Sequence, residues 1–510
     1  MQLFPIVLVA VVLAASEGLA LGHGESGPNP VVALVVAWAL AAVILLTAWI
    51  GTVWCCRRID GGSGSRPIVT AEHLCRWSRT AFLINHALAV FAFGWLEVVR
   101  DWTGDLVLID ELITMMPPIL GYIGAWWVYY PVESRLRRAL LIRRLDNGQP
   151  VYSMPSRTRY VLMQWRLGLL LLLVPLLIIM GLAESVHLAI APLADETEWI
   201  ADLTTLVAAL LVFLYTPLLA RRLLHLTPLP AGPLRDDMLD MCRRHNVAVR
   251  DVLLWRTSGS MINAAVMGLL GRLRYVLLTD VLLETLSRRQ VQAVMAHEIG
   301  HVRRHHIPWL LASLLATVAL SEMLISGLLY VLDSLGVVWS EDAGDWLTIA
   351  ATVVALIIAL QLFGWVSRRF ERQADTFSVV HLSRTPPPPQ VPAAEPGERS
   401  TSPASAGDSA DPPDLPVAHG PETGLIGSEA VTALQSALGR IAQLNAANPR
   451  RRSWRHGSIA WRQDYLQSLI GRPLADLPAG RVIRRIKITA IVVLLIAAIV
   501  AGIRMLDAGG

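Results

Sequence analysis

Long apolar runs alternate with short polar stretches along most of the chain. The runs fall at 3–21, 31–54, 80–98, 106–130, 160–183, 199–219, 308–332, 345–367 and 486–504. Each is near the ~20 residues a helix needs to cross hydrocarbon, so the pattern predicts an α-helical polytopic membrane protein with about 8–9 transmembrane helices. The polar stretches alternate too. "GHGESGPNP", "RDWTGD" and "PLADETEW" are acidic or poor in arginine, whereas "CCRRIDGGSGSR", "ESRLRRALLIRR", "ARRLLH" and "SRRFER" are rich in it. The arginine bias assigns that second set to the cytoplasm. The first run is expected to be a retained helix. A signal peptide ending near Ala20-Leu21-Gly22 is the alternative, although a basic leading region is missing.

Composition agrees with this pattern. Of 510 residues, 54% are hydrophobic and 16% charged, with mean hydropathy +0.50. An ordinary soluble protein is excluded. The net charge of +4 is almost wholly arginine, with Lys487 the only lysine, and no motif points to nucleic acid. Cys55, Cys56, Cys75 and Cys242 form no C-x-x-C pair and fall on the cytoplasmic side, so neither a disulfide framework nor a cysteine metal site is indicated. Cys55-Cys56 reads as two small apolar residues at a helix end, with acylation as the other reading.

Residues 1–220 read as a membrane bundle. From 228 the chain turns soluble: "RDVLLWR", "SMINAAVM" and "RLRYVLL" are short β-rich runs, predicting a small antiparallel sheet. Ser287-x-x-Gln290 predicts the start of a helix over "VQAVMAHEIGHVRRHH", with Pro308 beyond its end. Residues 228–307 thus form a sheet and a helix, 308–367 two membrane helices, and 368–383 a further helix on the same side. Residues 384–427, rich in Pro, Ala and Ser, are expected to be a disordered insert. The domain resumes over 428–480, and 486–504 is the last span.

The chemistry lies in "MAHEIGHVRRHH". His297 and His301, four apart on a helix, project from one face and can share one zinc, with Glu298 beside them as general base. A metzincin-type third histidine is excluded, since Arg304 and Ile307 stand where that class needs glycine and histidine. His305 and His306 read as interfacial or surface residues. In "SRRFERQADTF", Glu371 and Asp375 are again four apart, a spacing that could supply a third ligand and a carboxylate orienting a histidine. Taken alone, that run reads as a solvated helix face.

These motifs resemble, in order, the HtpX and CAAX-prenyl-endopeptidase group of integral-membrane zinc metallopeptidases, of the gluzincin type. The resemblance covers about 228–383 and 428–470. "MINAAVMG", "RYVLLTDVLLETLSRRQVQAVMAHEIGH", "ERQAD" and "HGSIAWR" carry it. It implies an α+β zincin-like domain on the cytoplasmic side, with one Zn2+ per chain held by His297, His301 and Glu371, and Glu298 as base. It further implies Asp375 supporting a ligand histidine, His456 and Arg462 stabilising the oxyanion, and Asn263 holding substrate backbone along an edge strand. Gly457 after His456, the insert and the last membrane helix depart from the group's pattern.

His86, Asp110, Glu111, Arg166, Glu184 and Glu322 fall in or beside apolar runs and should face a partner or water. By resemblance to the prenyl-protease type they could line a chamber. The expected function is a multi-pass zinc endopeptidase of the bacterial inner membrane, cleaving membrane-associated or misfolded proteins at the cytoplasmic face. Its expected partners are protein or peptide substrates and the bilayer, not nucleic acid. CAAX-type prenyl processing and a catalytically silent scaffold are the alternatives.

Overall fold

The computed structural model describes residues 3–16, 27–62, 64, 66–104, 106–146, 151–190, 198–257, 259, 261–336, 341–385, 424–445, 448–451, 453–474 and 477–508. The chain divides into two compact units. The first comprises Met1–Pro228, Leu253–Gly259 and Met267–Tyr275, and the second Leu229–Val252, Ser260–Val266 and Val276–Gly510.

The first unit is a helical bundle around buried Phe82, Trp95, Tyr122 and Trp126. The expected run at 80–98 is not one straight helix. Helices Arg66–Phe91 and Trp95–Thr103 meet at a 65° bend, with Gly94 in the left-handed region at φ 64°, a conformation that favours glycine. Arg100 pairs with Asp110 at 2.7 Å and Glu111 at 3.2 Å, which offsets the cost of burying both carboxylates. Arg166 meets His225, and Glu184 accepts the Leu108 amide.

Among the described residues five helices are long and apolar enough to cross a membrane, or six if the bent pair is one span. That is fewer than the expected eight to nine. In the first run the described helix is Leu3–Ser16, 14 residues, and residues 17–21 of that run lie outside the described residues. The last two runs lie on helices Glu341–Arg384 and Ala479–Ala508, some of whose side chains are outside the description.

Beyond the bundle, the strands are β1 Thr227–Pro228, β2 Asp251–Trp255, β3 Ala264–Met267 and β4 Tyr275–Thr279, in sheet order β1-β2-β4-β3. β1 pairs antiparallel with β2, Thr227 opposite Leu254. β3 is an edge strand, tied at its start by the Thr279 amide donating to Asn263 O. The helices are α1 Pro233–Arg244, α2 Arg288–Arg303, α3 His306–Ser334, α4 Glu341–Arg384, α5 Ser428–Leu444, α6 Ile459–Gln467 and α7 Ala479–Ala508.

α2 starts with a full capping box between Ser287 and Gln290. It stops at Arg304, and His305 turns through φ 56° before α3 begins. Pro308 therefore falls in the first turn of α3, where its missing N–H costs nothing. α2 lies against α4, where Ser378 Oγ donates to Ala293 O at 2.7 Å. Gly300 permits this approach, since a Cβ there would come within 3.3 Å of Ala374 Cα. Ala293, Val379, Leu434 and Leu466 join α2, α4, α5 and α6 into one core.

Most of the expected insert, 386–423, lies outside the described residues. Its flanks do not. Arg384 ends α4, Leu425 bridges to Pro473, and Ile426 is buried, so the fold resumes before 428. Arg289 donates to Leu382 O, Thr385 O and both Glu429 carboxylate oxygens, fastening the two flanks together. A long insertion between fixed ends costs little extra loop entropy.

Candidate metal centre

The capping box fixes where α2 starts, and therefore which residues face α4. His297 Nε2 lies 3.2 Å from His301 Nε2. Glu371 reaches them from α4, Oε2 at 3.5 Å from His297 Nε2 and Oε1 at 3.7 Å from His301 Nε2. Ligand atoms about 2.0–2.2 Å from a tetrahedral zinc stand roughly 3.3–3.5 Å from one another. The three groups stand within a few tenths of an ångström of that spacing and could hold a metal ion.

The surrounding hydrogen bonds leave the correct nitrogens free. His297 Nδ1 lies 2.9 Å from Asp375 Oδ1, so its proton is on Nδ1 and the Nε2 lone pair faces the site. Asp375 is fully buried and gripped by Arg462, Nε to Oδ2 at 2.9 Å and Nη2 to Oδ1 at 2.6 Å. On the other histidine, His301 Nδ1 lies 2.8 Å from His306 Nδ1, and His306 Nε2 lies 2.9 Å from Gln373 Oε1. Gln373 accepts from His306 Nε2–H, so His306 Nδ1 must accept from His301 Nδ1–H. His301 Nε2 then also offers a lone pair. Two lone pairs and a carboxylate converging at this range repel one another unless a cation stands between them.

Titration reflects the same field. Burial and Arg462 oppose charging of His297, but Asp375 and Glu371 outweigh them and raise it to about 9. Without metal a proton takes the cation's place, and metal must displace it. Burial pushes Glu298 up to about 7, with Glu371 adding to the effect against His297 and Arg462. Burial works against ionisation of Glu371 as well, yet hydrogen bonds from His297 and His456 and the Arg462 charge hold it well below the usual range.

His297, Glu298, His301, Glu371, His456, Arg462 and Asn263 all line one cavity of about 470 Å³, and Asp375 backs it. Asn263–Val266, at the start of the edge strand, form part of its wall. His456 stands at the rim, half exposed, with Nδ1 on Glu371 Oε1 at 2.8 Å. Arg462, expected to face the oxyanion, lines the cavity with its guanidinium engaged by Asp375 and, through Nη1 at 3.3 Å, by Glu371.

Sequence reasoning missed three participants. His306 is buried, stacked on Phe370, and is no surface residue. Gln373 completes its relay. Asn445 clamps the Ile262 backbone, accepting from its amide and donating to its carbonyl, both at 3.1 Å. For His306 a signal existed, since it falls in the first turn of an apolar run and close to the two ligands. Gln373 and Asn445 had none. Glu322 is exposed and accepts a bond from Ser326 one turn along α3.

Residues 228–392 match the family model described as "Peptidase family M48". The matched stretch is the one that holds most of the HtpX-like and prenyl-endopeptidase-like motifs. A curated relative, a "Protease HtpX homolog" from Aeropyrum pernix, is 30% identical over 107 residues, 21% of this chain and 33% of the relative. The chain thus spans about a third of the length of the curated relative it matches. Among solved structures, the crystal structure of S. mikatae Ste24p superposes with TM-score 0.44 at 13% identity, covering 86% of this chain and 99% of that one.

Proposed function

We propose that this chain is a membrane-embedded, zinc-dependent endopeptidase of the bacterial inner membrane, cleaving membrane-associated or misfolded proteins at the cytoplasmic face. One observation carries the reading: the histidine–histidine–glutamate triad and half-buried Glu298 line the same cavity as the start of the edge strand β3. An extended peptide added to β3 would lay its backbone past the triad, a mode that reads main chain more than side chains. The orientation rests on the arginine-rich loops that share the triad's side of the membrane.

Zinc held by His297, His301 and Glu371 would supply a Lewis acid for the scissile carbonyl and acidify the attacking water. Glu298, poised near 7, takes the water proton and passes it to the amide nitrogen as the C–N bond breaks. Asp375 keeps the His297 proton on Nδ1, and Arg462 fixes Asp375 and Glu371. His456, at the rim, faces the developing oxyanion. Asn263 and the Asn445 clamp hold the start of β3 in register for substrate.

The test is cleavage of an unfolded protein and of a prenylated peptide by detergent-purified chain, with and without chelator, beside Glu298→Gln. Chelator-sensitive cleavage of the unfolded protein, lost in Glu298→Gln, is expected. Preference for the prenylated peptide would move the assignment to CAAX processing. No cleavage by zinc-loaded protein would favour a silent scaffold.

A further inference from the structure

A second cavity, about 620 Å³, is lined by the sequence neighbours of the metal-site groups: Arg372 beside Glu371, Trp461 beside Arg462, Gly457 beside His456. Arg368, Arg369 and Arg372, on about one turn of α4, form its basic wall, and no acidic residue lines it. Among the described residues none of the three makes an ion pair within 4 Å. Arg368 donates to Trp454 O, Arg369 lies over Trp365, and Arg372 lies 4.0 Å over the Trp461 ring. The Nε atoms of Arg369 and Arg372 are buried without a hydrogen-bond partner. Arginines that merely anchor a helix among headgroups keep their donors in water. These three line a formed cavity whose basic wall faces no acidic residue, an arrangement complementary to an anion.

Trp365, which lines this cavity, also lines an apolar groove of about 480 Å³ between α3, α4 and α7. Ala316, Leu320, Val366, Ile486 and Val493 form its walls. A charged pocket and an apolar groove thus meet at one tryptophan, where α4 passes from its apolar run to its arginines. That junction is where aromatic side chains favour the membrane surface.

We infer that these two cavities bind one anionic phospholipid, its phosphate among Arg368, Arg369 and Arg372 and an acyl chain in the α3–α4–α7 groove. Guanidinium donors match phosphate oxygens, and charge-assisted bonds of this kind are the strong ones. The groove favours a lipid over free phosphate, because each buried methylene adds affinity that inorganic phosphate lacks.

The inference does not depend on proteolysis and is tested without it. Native mass spectrometry of the full chain in detergent would compare dioleoyl-phosphatidylglycerol, dioleoyl-phosphatidylcholine and inorganic phosphate. Phosphatidylglycerol is expected to be retained at least about tenfold more tightly than phosphatidylcholine, a ratio set by charge-assisted bonds. Arg369→Gln/Arg372→Gln, with unchanged melting temperature, should bring the two lipids level. If that variant does not fold, Arg369→Gln alone should lose several-fold. Equal retention of both lipids by wild type, or a preference intact in the folded variants, would overturn the site. Inorganic phosphate binding as tightly as phosphatidylglycerol would overturn the lipid assignment.

Discussion

His306→Phe is the sharpest test of how the metal centre is held. Phenylalanine can keep the stacking on Phe370, now at 4.5 Å and 8°, and fills similar volume. What it removes is the acceptor at 2.8 Å from His301 Nδ1 and the donor to Gln373. The His301 N–H is then left without a partner, a loss of about 1–3 kcal/mol when buried. The imidazole is also free to turn or change tautomer, which would aim an N–H at the ion. Loss of such an outer partner lowers metal affinity about 10–100-fold, or roughly 1.4–2.7 kcal/mol. The assay is zinc dissociation measured against a competing chelating dye at pH 7.5. His306→Gln, which returns a carbonyl acceptor, should recover part of the loss. A folded His306→Phe protein whose zinc affinity stays within about threefold of wild type would refute the relay.

Asp375→Asn should weaken zinc binding by a similar factor and lower stability by about 3 kcal/mol or more, because the buried Arg462 charge loses its partner; thermal unfolding of apo and zinc-loaded protein separates the two effects. Gly300→Val should push α2 from α4, costing ~1–3 kcal/mol in overpacking and lowering zinc affinity, with Gly300→Ala milder in both readouts. The pair His245 Nε2–His381 Nδ1, 2.9 Å apart, is held neutral. Burial, then the His245 charge and neighbouring arginines, lowers His381 to about 4, while burial and nearby arginines also lower His245. The unfolded chain takes up protons below about 6.5 and the folded chain resists, so stability should fall as pH drops from 6.5 toward 4, by roughly 2–3 kcal/mol for His381. Melting temperature followed from pH 7 to 4.5 should decline less steeply in His381→Leu; identical slopes would remove this pair from the account. Asn445→Ala frees the Ile262 backbone and should raise KM more than it lowers kcat in steady-state cleavage.

The ligand spacing was readable because helical geometry is local: residues four apart share a face whatever surrounds them. Ser287 and Gln290 announced the start of α2 for the same reason. The bend at Gly94 escaped notice because hydropathy registers composition, not backbone dihedrals, and the run at 80–98 is apolar through the break. Arg462 and His306 show the other limit. Each is defined by a partner far along the chain or across a turn, Asp375 for one and His301 with Gln373 for the other, and side-chain relays leave no periodic trace. The roles of His456 and Asn263 rested on resemblance alone. The geometry now gives each a neighbour, Glu371 for His456 and the edge of β3 for Asn263.

α4 runs unbroken from Glu341 to Arg384, 44 residues or roughly 66 Å, and carries both an apolar run and Glu371. The two histidines of the triad sit on α2, which a two-residue turn, Arg304–His305, separates from the apolar helix α3. Glu371 follows the end of the apolar run by four residues, about 6 Å along the helix axis. The glutamate therefore belongs to the same rod as the apolar run, while the two histidines reach it through the packing of α2 on that rod. A shift of α4 along its axis would be passed to all three groups through one helix pair, so the seating of the apolar run and the geometry of the triad form a single mechanical unit.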